Sequence, residues 1–406
     1  MIQATQIWAC YNPKPPIMAG IIYLDHAATT PVDKRVLAAM QPYFTEAFGN
    51  PSSVHRYGQQ AESAVDLARE TVARILNCMP QEIIFTSCGT ESDNLAVRGA
   101  AFSARERSGA DRILTSRAEH HAVSKTAEQL ARHHGFSLDW LEMDKHGKTP
   151  SGAVKRGLCP ESAVVSVMYA NNEIGTVNPI GEIATECRER GTLMHTDAVQ
   201  AAAYLSLDVN ALGTDLMSLG GHKFHGPKGV GALYVRNGTR LLSSQTGGSQ
   251  EFGLRAGTQN VPLIVGFAKA LELAQQEREQ RTVHATLLRD HIIGSVLELI
   301  PDSRLTGSPD ARLPNHASFA FKNVDGNLLL ILLDAAGFAC SSGSACKTGD
   351  PEPSDVLTAI GLPREWGLGS LRVTVGKDST AADVEAFLRA LPGLVEKARA
   401  LKAAPT

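Results

Sequence analysis

The feature that most restricts what this chain can fold into is an alternation. From about residue 60 onward, short β-rich runs take turns with amphipathic stretches at helical spacing. Strands that alternate with helices in this way form βαβ units, which build a mostly parallel sheet covered by helices. The spacing predicts a helix over 60–77, with Ala61, Ala64, Val65, Ala68, Val72, Ile75 and Leu76 on one face, and then a strand over 82–86. Residues 87–92 turn the chain into a second helix, predicted over 94–107, through small polar groups at a helix N-terminus, where an anion is favoured. Further strands are predicted over 112–116, 163–169, 192–195, 215–219 and 229–235, with helices over 122–134 and 180–190. A long charged helix over 271–300, interrupted at Gly294, leads out of the sheet. A strand over 317–321 follows, then helices over 327–336 and 381–401.

A chain of 406 residues is too long for one small core. The expected division is a large domain over 33–280 and a smaller α+β domain made of 1–32 and 281–406, with residues 1–20 a ragged extension. Those first residues carry Lys14 as their only charge and lack the basic region and apolar run of a signal peptide, and Met18 is an alternative start. A net charge of −3 gives no global reason to expect nucleic acid or an anionic membrane as a partner, and no apolar run is long enough to span a bilayer. The seven cysteines form no C-x-x-C pair, so reduced thiols in a cytoplasmic setting are expected.

Three segments could carry chemistry. Residues 218–231 begin at a strand end and set Lys223 among glycines, where its amine can approach a ligand closely; the bland alternative is a solvated lysine on a surface loop. Asp197 follows an apolar strand at the place where open α/β sheets bind ligands, although an Asp after a strand more often caps the next helix. Residues 338–350 form a Ser/Gly-rich loop with two thiols. Cys346, beside Lys347, can ionise and react, whereas Cys340, close to Phe338, is expected to pack as a small apolar residue. The pairs His120-His121 and His133-His134 and the pair His222 and His225 do not make a metal site, because no carboxylate or cysteine completes a ligand spacing.

In their order these segments resemble the cysteine desulfurases of the NifS/IscS type, fold type I pyridoxal-phosphate enzymes of the class-V aminotransferase group. The resemblance runs from Ile22 to about Ala390, through Tyr-Leu-Asp-His-Ala-Ala-Thr-Thr-Pro (23–31), Phe-Thr-Ser-Cys-Gly-Thr-Glu-Ser (85–92), Glu-His-His-Ala-Val (119–123), Ala-Asn-Asn-Glu-Ile-Gly-Thr (170–176), His-Thr-Asp-Ala-Val-Gln (195–200), Gly-His-Lys-Phe-His-Gly-Pro-Lys-Gly (221–229) and Ser-Ser-Gly-Ser-Ala-Cys (341–346).

The resemblance implies that Lys223 condenses with the cofactor aldehyde, that Asp197 pairs with the ring nitrogen and that Gln200 bonds the ring hydroxyl. It places His120 on the ring, Asn171 or Asn172 beside ring and substrate, and Gly89, Thr90, Ser218 and His222 on the phosphate. Thr258 would reach the phosphate of a neighbouring subunit in a homodimer, and Arg372 would bind the carboxylate of L-cysteine. Cys346 would take the sulfur as a persulfide, leaving L-alanine, and pass it to an acceptor protein, an iron–sulfur scaffold or a thiolation enzyme. Selenocysteine lyase, β-elimination and transamination are other reactions open to the same scaffold.

Overall fold

The computed structural model describes residues 20–342 and 352–403. Cys346 and the rest of its loop lie outside the described residues, as does the N-terminal extension up to residue 19. In chain order the elements are β1 (Ile22–Tyr23), α1 (Lys34–Met40), α2 (Pro42–Thr45), α3 (Arg56–Leu76), β2 (Ile83–Thr86), α4 (Gly89–Ser108), β3 (Arg112–Ser116), α5 (His121–His134), β4 (Ser137–Leu141), α6 (Ser151–Gly157), β5 (Ser162–Ser166) and α7 (Ile180–Glu189). They continue with β6 (Leu193–Asp197), α8 (Val209–Leu212), β7 (Leu216–Gly220), β8 (Gly231–Val235), α9 (Val261–Gln276), α10 (Arg278–Leu299), β9 (Ser303–Leu305), β10 (His316–Phe321), α11 (Gly326–Ala335), β11 (Phe338–Ala339), α12 (Asp355–Ala359), α13 (Arg364–Gly367), β12 (Ser370–Thr374) and α14 (Ala381–Ala403).

Seven strands form the main sheet in the order β2-β8-β7-β6-β5-β3-β4. Neighbours run parallel from β7 to β4, while β8 is antiparallel to both β7 and β2. Strands β2, β5, β7 and β8 are buried along their whole length, as expected of a sheet with helices on both faces. A second core gathers Leu24, Phe319, Phe321, Leu371, Val373 and Phe387. It lies between the antiparallel sheet β12-β10-β9 and helices α10, α11 and α14, so residues just after position 20 pack with the C-terminal part of the chain.

Several predicted boundaries shift for identifiable reasons. Helix α4 starts at Gly89 rather than 94, which brings Gly89 and Thr90 into its first turn. The helix expected over 271–300 is two helices, and its break lies at Glu277 (φ −94°, ψ 4°), not at Gly294. Arg35 and Arg281 hold the Glu277 carboxylate at 2.7 and 2.6 Å and fix the junction, whereas Gly294 stands in open space inside α10. The strand expected over 163–169 ends at Ser166, but the Val167 and Tyr169 amides still donate to the His195 and Asp197 carbonyls of β6 at 3.1 and 2.8 Å, so the chain follows the sheet to its end before Asn172.

One buried ion pair ties the first layers together. Arg69 on α3 forms a fork with Glu251 at 2.8 Å through both terminal nitrogens, and the Phe85 amide donates to the same carboxylate. The Arg69 and Glu251 side chains are 7% and 1% exposed, so removing one partner strands a charge without water. The variant Arg69→Met is expected to lose about 3–5 kcal/mol of stability, readable as a lowered urea midpoint.

Candidate active site

The carboxyl ends of β2, β3, β5, β6 and β7 converge on one cavity of about 310 Å³, lined by Gly89, Thr90, His120, Asn172, Asp197, Gln200, His222, Lys223 and Arg372 among others. Open sheets bind ligands at this edge because strand directions converge there and the helix N-termini that follow face the opening. Most of these side chains arrive from connections at a strand end, while Gly89 and Thr90 open α4 and Arg372 comes from β12 of the second sheet.

Lys223 stands three residues beyond β7, and its Nζ donates to the carbonyls of Ala27 and Ala28 at 2.6 and 2.7 Å. Burial pushes its amine down to about 8; Arg372 adds to the fall, while Asp197 and Asp25 oppose it. Asp197 ends β6, and its Oδ1 accepts from the Val199 amide at 2.9 Å, so the local capping role weighed from the sequence is present as well. Burial raises the Asp197 carboxyl, against the pull of the Val199 amide, His120 and Lys223. A cation beside this carboxylate would complete its compensation. His120 caps α5, accepting from the Ala122 amide at its Nδ1, so the neutral ring carries its proton on Nε2.

Helix α4 runs 20 residues and begins with no side-chain cap, which leaves the N–H groups of Gly89 and Thr90 at the cavity. A Cβ on Gly89 would fall 2.8 Å from the Val199 side chain, and glycine lets the backbone come this close. Burial lowers the His222 ring to about 4, with Lys223 and Lys228 adding to the fall. An uncapped helix start, a lysine amine pushed down by burial and a buried carboxylate lacking a full counter-charge are the set that a phosphorylated pyridine aldehyde requires.

Not every residue expected at the site is there. Asn172 lines the cavity, whereas Asn171 is buried in the turn, its Oδ1 accepting from the Glu173 and Ile174 amides at 2.7 and 2.8 Å. Ser218 is not among the lining residues. It lies two positions back from the end of β7, inside the sheet, with its hydroxyl 3.0 Å from His195 Nε2. Gln200 lines the cavity with its Nε2 donating to Ala27 at 2.9 Å, and Thr258 is exposed away from it. Arg372 on β12 pairs with Asp25 at 2.9 Å and donates to the Asn172 carbonyl at 2.9 Å. Asp25 in turn accepts from the Ser341 hydroxyl at 2.8 Å, so the guanidinium, the N-terminal strand region and the start of the Cys346 loop share one carboxylate. Sequence reasoning missed Asp25, Asp93 and His195, since nothing local distinguishes them from ordinary polar residues. Cys340 is half-buried against the second core, and burial pushes its thiol up, as expected of a packing residue.

A fold of this class, with a lysine, an acidic residue and a helix start at one sheet edge, is that of a pyridoxal-phosphate enzyme. Residues 22–387 match the aminotransferase class-V family, and the chain belongs to it. It is 45% identical over 378 residues to "Cysteine desulfurase IscS" of Methanosarcina thermophila, covering 93% of each chain. It is 43% identical over 380 residues to the protein of that name from Dictyoglomus turgidum, covering 94% of this chain and 96% of the other. Among solved structures, a "NifS-like protein" superposes with TM-score 0.86 at 35% identity over 93% of this chain and 100% of that one. "SspA in complex with cysteine" superposes with TM-score 0.76 at 35% identity over 88% and 99%.

Proposed function

We propose that Lys223, Asp197, Arg372 and Cys346 divide among them the work of a pyridoxal-phosphate-dependent cysteine desulfurase, the activity to which the family and its relatives assign this chain. The observation that carries the division is the meeting of the Lys223 amine, the Asp197 carboxylate and the uncapped start of α4 in one cavity. Bound there, the cofactor supplies an electron sink for the charge left on the substrate α-carbon.

Every other part falls to the chain. Gly89, Thr90 and His222 hold the phosphate, Asp197 keeps the ring nitrogen protonated, His120 covers the ring and Gln200 reaches the ring hydroxyl. Arg372 takes the carboxylate of L-cysteine as a bidentate pair. The Lys223 amine would accept the substrate α-proton and could return it. The Cys346 thiolate then attacks the substrate sulfur. The C–S bond breaks as the S–S bond forms, its electron pair stays on the former β-carbon and is protonated, and the products are L-alanine and a Cys346 persulfide.

The enzyme acts on cysteine and needs an acceptor for the sulfur. We assign that acceptor to an iron–sulfur scaffold or a thiolation enzyme in the cytoplasm, and the working unit to a homodimer in which Thr258 reaches the neighbour's phosphate. The division into 33–280 and the remainder fits the two cores, with the junction of α9 and α10 near its border. Among the described residues no helix is long and apolar enough to cross a membrane.

The test is the release of alanine and sulfide from L-cysteine under reductant: equal amounts of both support the assignment, and pyruvate and ammonia in place of alanine overturn it. A second expectation concerns pH. Only the unprotonated Lys223 amine condenses with an aldehyde, so cofactor capture by the cofactor-free protein should speed up as pH rises through about 8 and then level off, followed by absorbance in a stopped-flow mixer.

A further inference from the structure

Beside Asp197 the cavity holds a second carboxyl that the reaction above does not use. Asp93, on the second turn of α4, is 1% exposed and lines the cavity. Among the described residues its Oδ1 has no hydrogen-bond partner, and the Ser218 hydroxyl that faces the carboxyl lowers it by less than burial raises it. The nearest basic group is His195 Nε2 at 3.6 Å, and that ring lies fully buried between the Ser166 and Ser218 hydroxyls, at 2.8 and 3.0 Å. Burial holds His195 near 3, so at neutral pH it brings no charge to Asp93. The other ionisable groups facing Asp93 are Asp197 on β6, Glu119 between β3 and α5, and Cys88 at the cap of α4. All three disfavour a second negative charge. Asp197 differs in having the Val199 amide, Lys223 and His120 on its side.

We propose that Asp93 is an uncharged carboxyl of the cofactor cavity, which leaves Asp197 as the carboxylate that faces the ring nitrogen. The inference rests on the assignment of this cavity to the cofactor, but its first test does not depend on that assignment. Two carboxylates in one dry pocket cannot both ionise cheaply, and the one with hydrogen-bond donors and cations keeps the charge. Burial and the Asp197 charge raise Asp93 well above the carboxylate range, and the Ser218 hydroxyl does not offset them. The ring nitrogen is thus offered one negative charge rather than two.

An acid that is neutral when folded and ionised when unfolded makes folding take up a proton. Below the ordinary carboxylate range both states are protonated and the acid costs nothing. As pH rises above it, the folded state loses about tenfold in its equilibrium constant per pH unit until the folded group itself ionises. The experiment is urea unfolding of the wild type as purified, Asp93→Asn and Asp93→Ser between pH 4 and 8. The expected result is that the stability of Asp93→Asn relative to wild type grows with pH by up to tenfold per unit, and that Asp93→Ser shows the same slope displaced by a constant loss. A relative stability that is flat with pH, or that falls as pH rises, overturns the proposal. A second readout is the pH titration of the bound cofactor's visible absorption. It should stay in place in Asp93→Asn and move in Asp197→Asn; a shift in Asp93→Asn as large as that in Asp197→Asn also overturns it. Failure of Lys223 to capture cofactor at all would instead sink the site assignment, while leaving the unfolding result to stand by itself.

Discussion

Replacing Lys223 with alanine is expected to lower kcat/KM for alanine release by about 10²–10⁴-fold even with cofactor in excess, the scale on which a positioned acid–base group is lost. The residue has two duties, and the variant separates them. Its covalent hold on the cofactor disappears, so the absorbance of a lysine-bound aldehyde should be missing while the phosphate contacts at Gly89, Thr90 and His222 still retain some free cofactor. Its duty as the base that takes the α-proton is lost as well. A small primary amine added to the buffer should therefore restore part of the rate, because it can occupy the space that the side chain leaves. The packing around the site should survive: Lys223 donates only to the carbonyls of Ala27 and Ala28, which water can serve once the side chain is gone. A variant that is as active as wild type, or that has lost its fold by circular dichroism, would count against this account of Lys223.

The sheet and the residues at its edge were legible in the sequence because local rules govern them. A parallel strand buried on both faces reads as a mainly apolar run, and its end is marked by an acid at Asp197 and by a glycine-rich stretch at 220–223. Strands at the far edge and in the smaller sheet give a weaker signal. Strand β4 carries Ser137 and Asp139 along its exposed margin, and β12 hides Arg372 in a fully buried strand. Arg372 was reached through resemblance alone, since its partner Asp25 is 347 positions away and no local pattern joins them. Asp93 is a sharper case. In the run Glu91-Ser92-Asp93 it looks like any first-turn helix acid, and only the packing of α4 over the ends of β5, β6, β7 and β8 buries it. Ser218 shows the converse. The resemblance implies that it binds phosphate, but a step of two residues along a strand separates the cavity from the interior of the sheet.

Cys346→Ala should keep the cofactor spectrum of the wild type, still bind L-cysteine, and yet yield neither persulfide nor alanine above background. The argument is one of competing thiols. Sulfur transfer needs a thiolate that can reach the substrate sulfur, and burial in apolar surroundings makes thiols inert. Cys340 is pushed up by burial, and Cys187 is pushed up to about 12 under α7, so neither offers a thiolate near neutral pH. Cys88 competes by position, because it lines the cavity at the cap of α4 with its sulfur 3.8 Å from the Ser87 hydroxyl. On the proposed assignment Cys88 stands at the phosphate end of the cavity and the substrate sulfur would lie near Arg372 and Asn172, so its position argues against attack on that sulfur. Cys88→Ala is therefore the paired control. Mass spectrometry after incubation with L-cysteine should find one added sulfur atom on the wild type and on Cys88→Ala, and none on Cys346→Ala. The reverse pattern would move the acceptor to Cys88. Undiminished alanine production by both variants would mean that the substrate sulfur leaves without any thiol of this chain, and that the scaffold runs a β-elimination rather than a transfer.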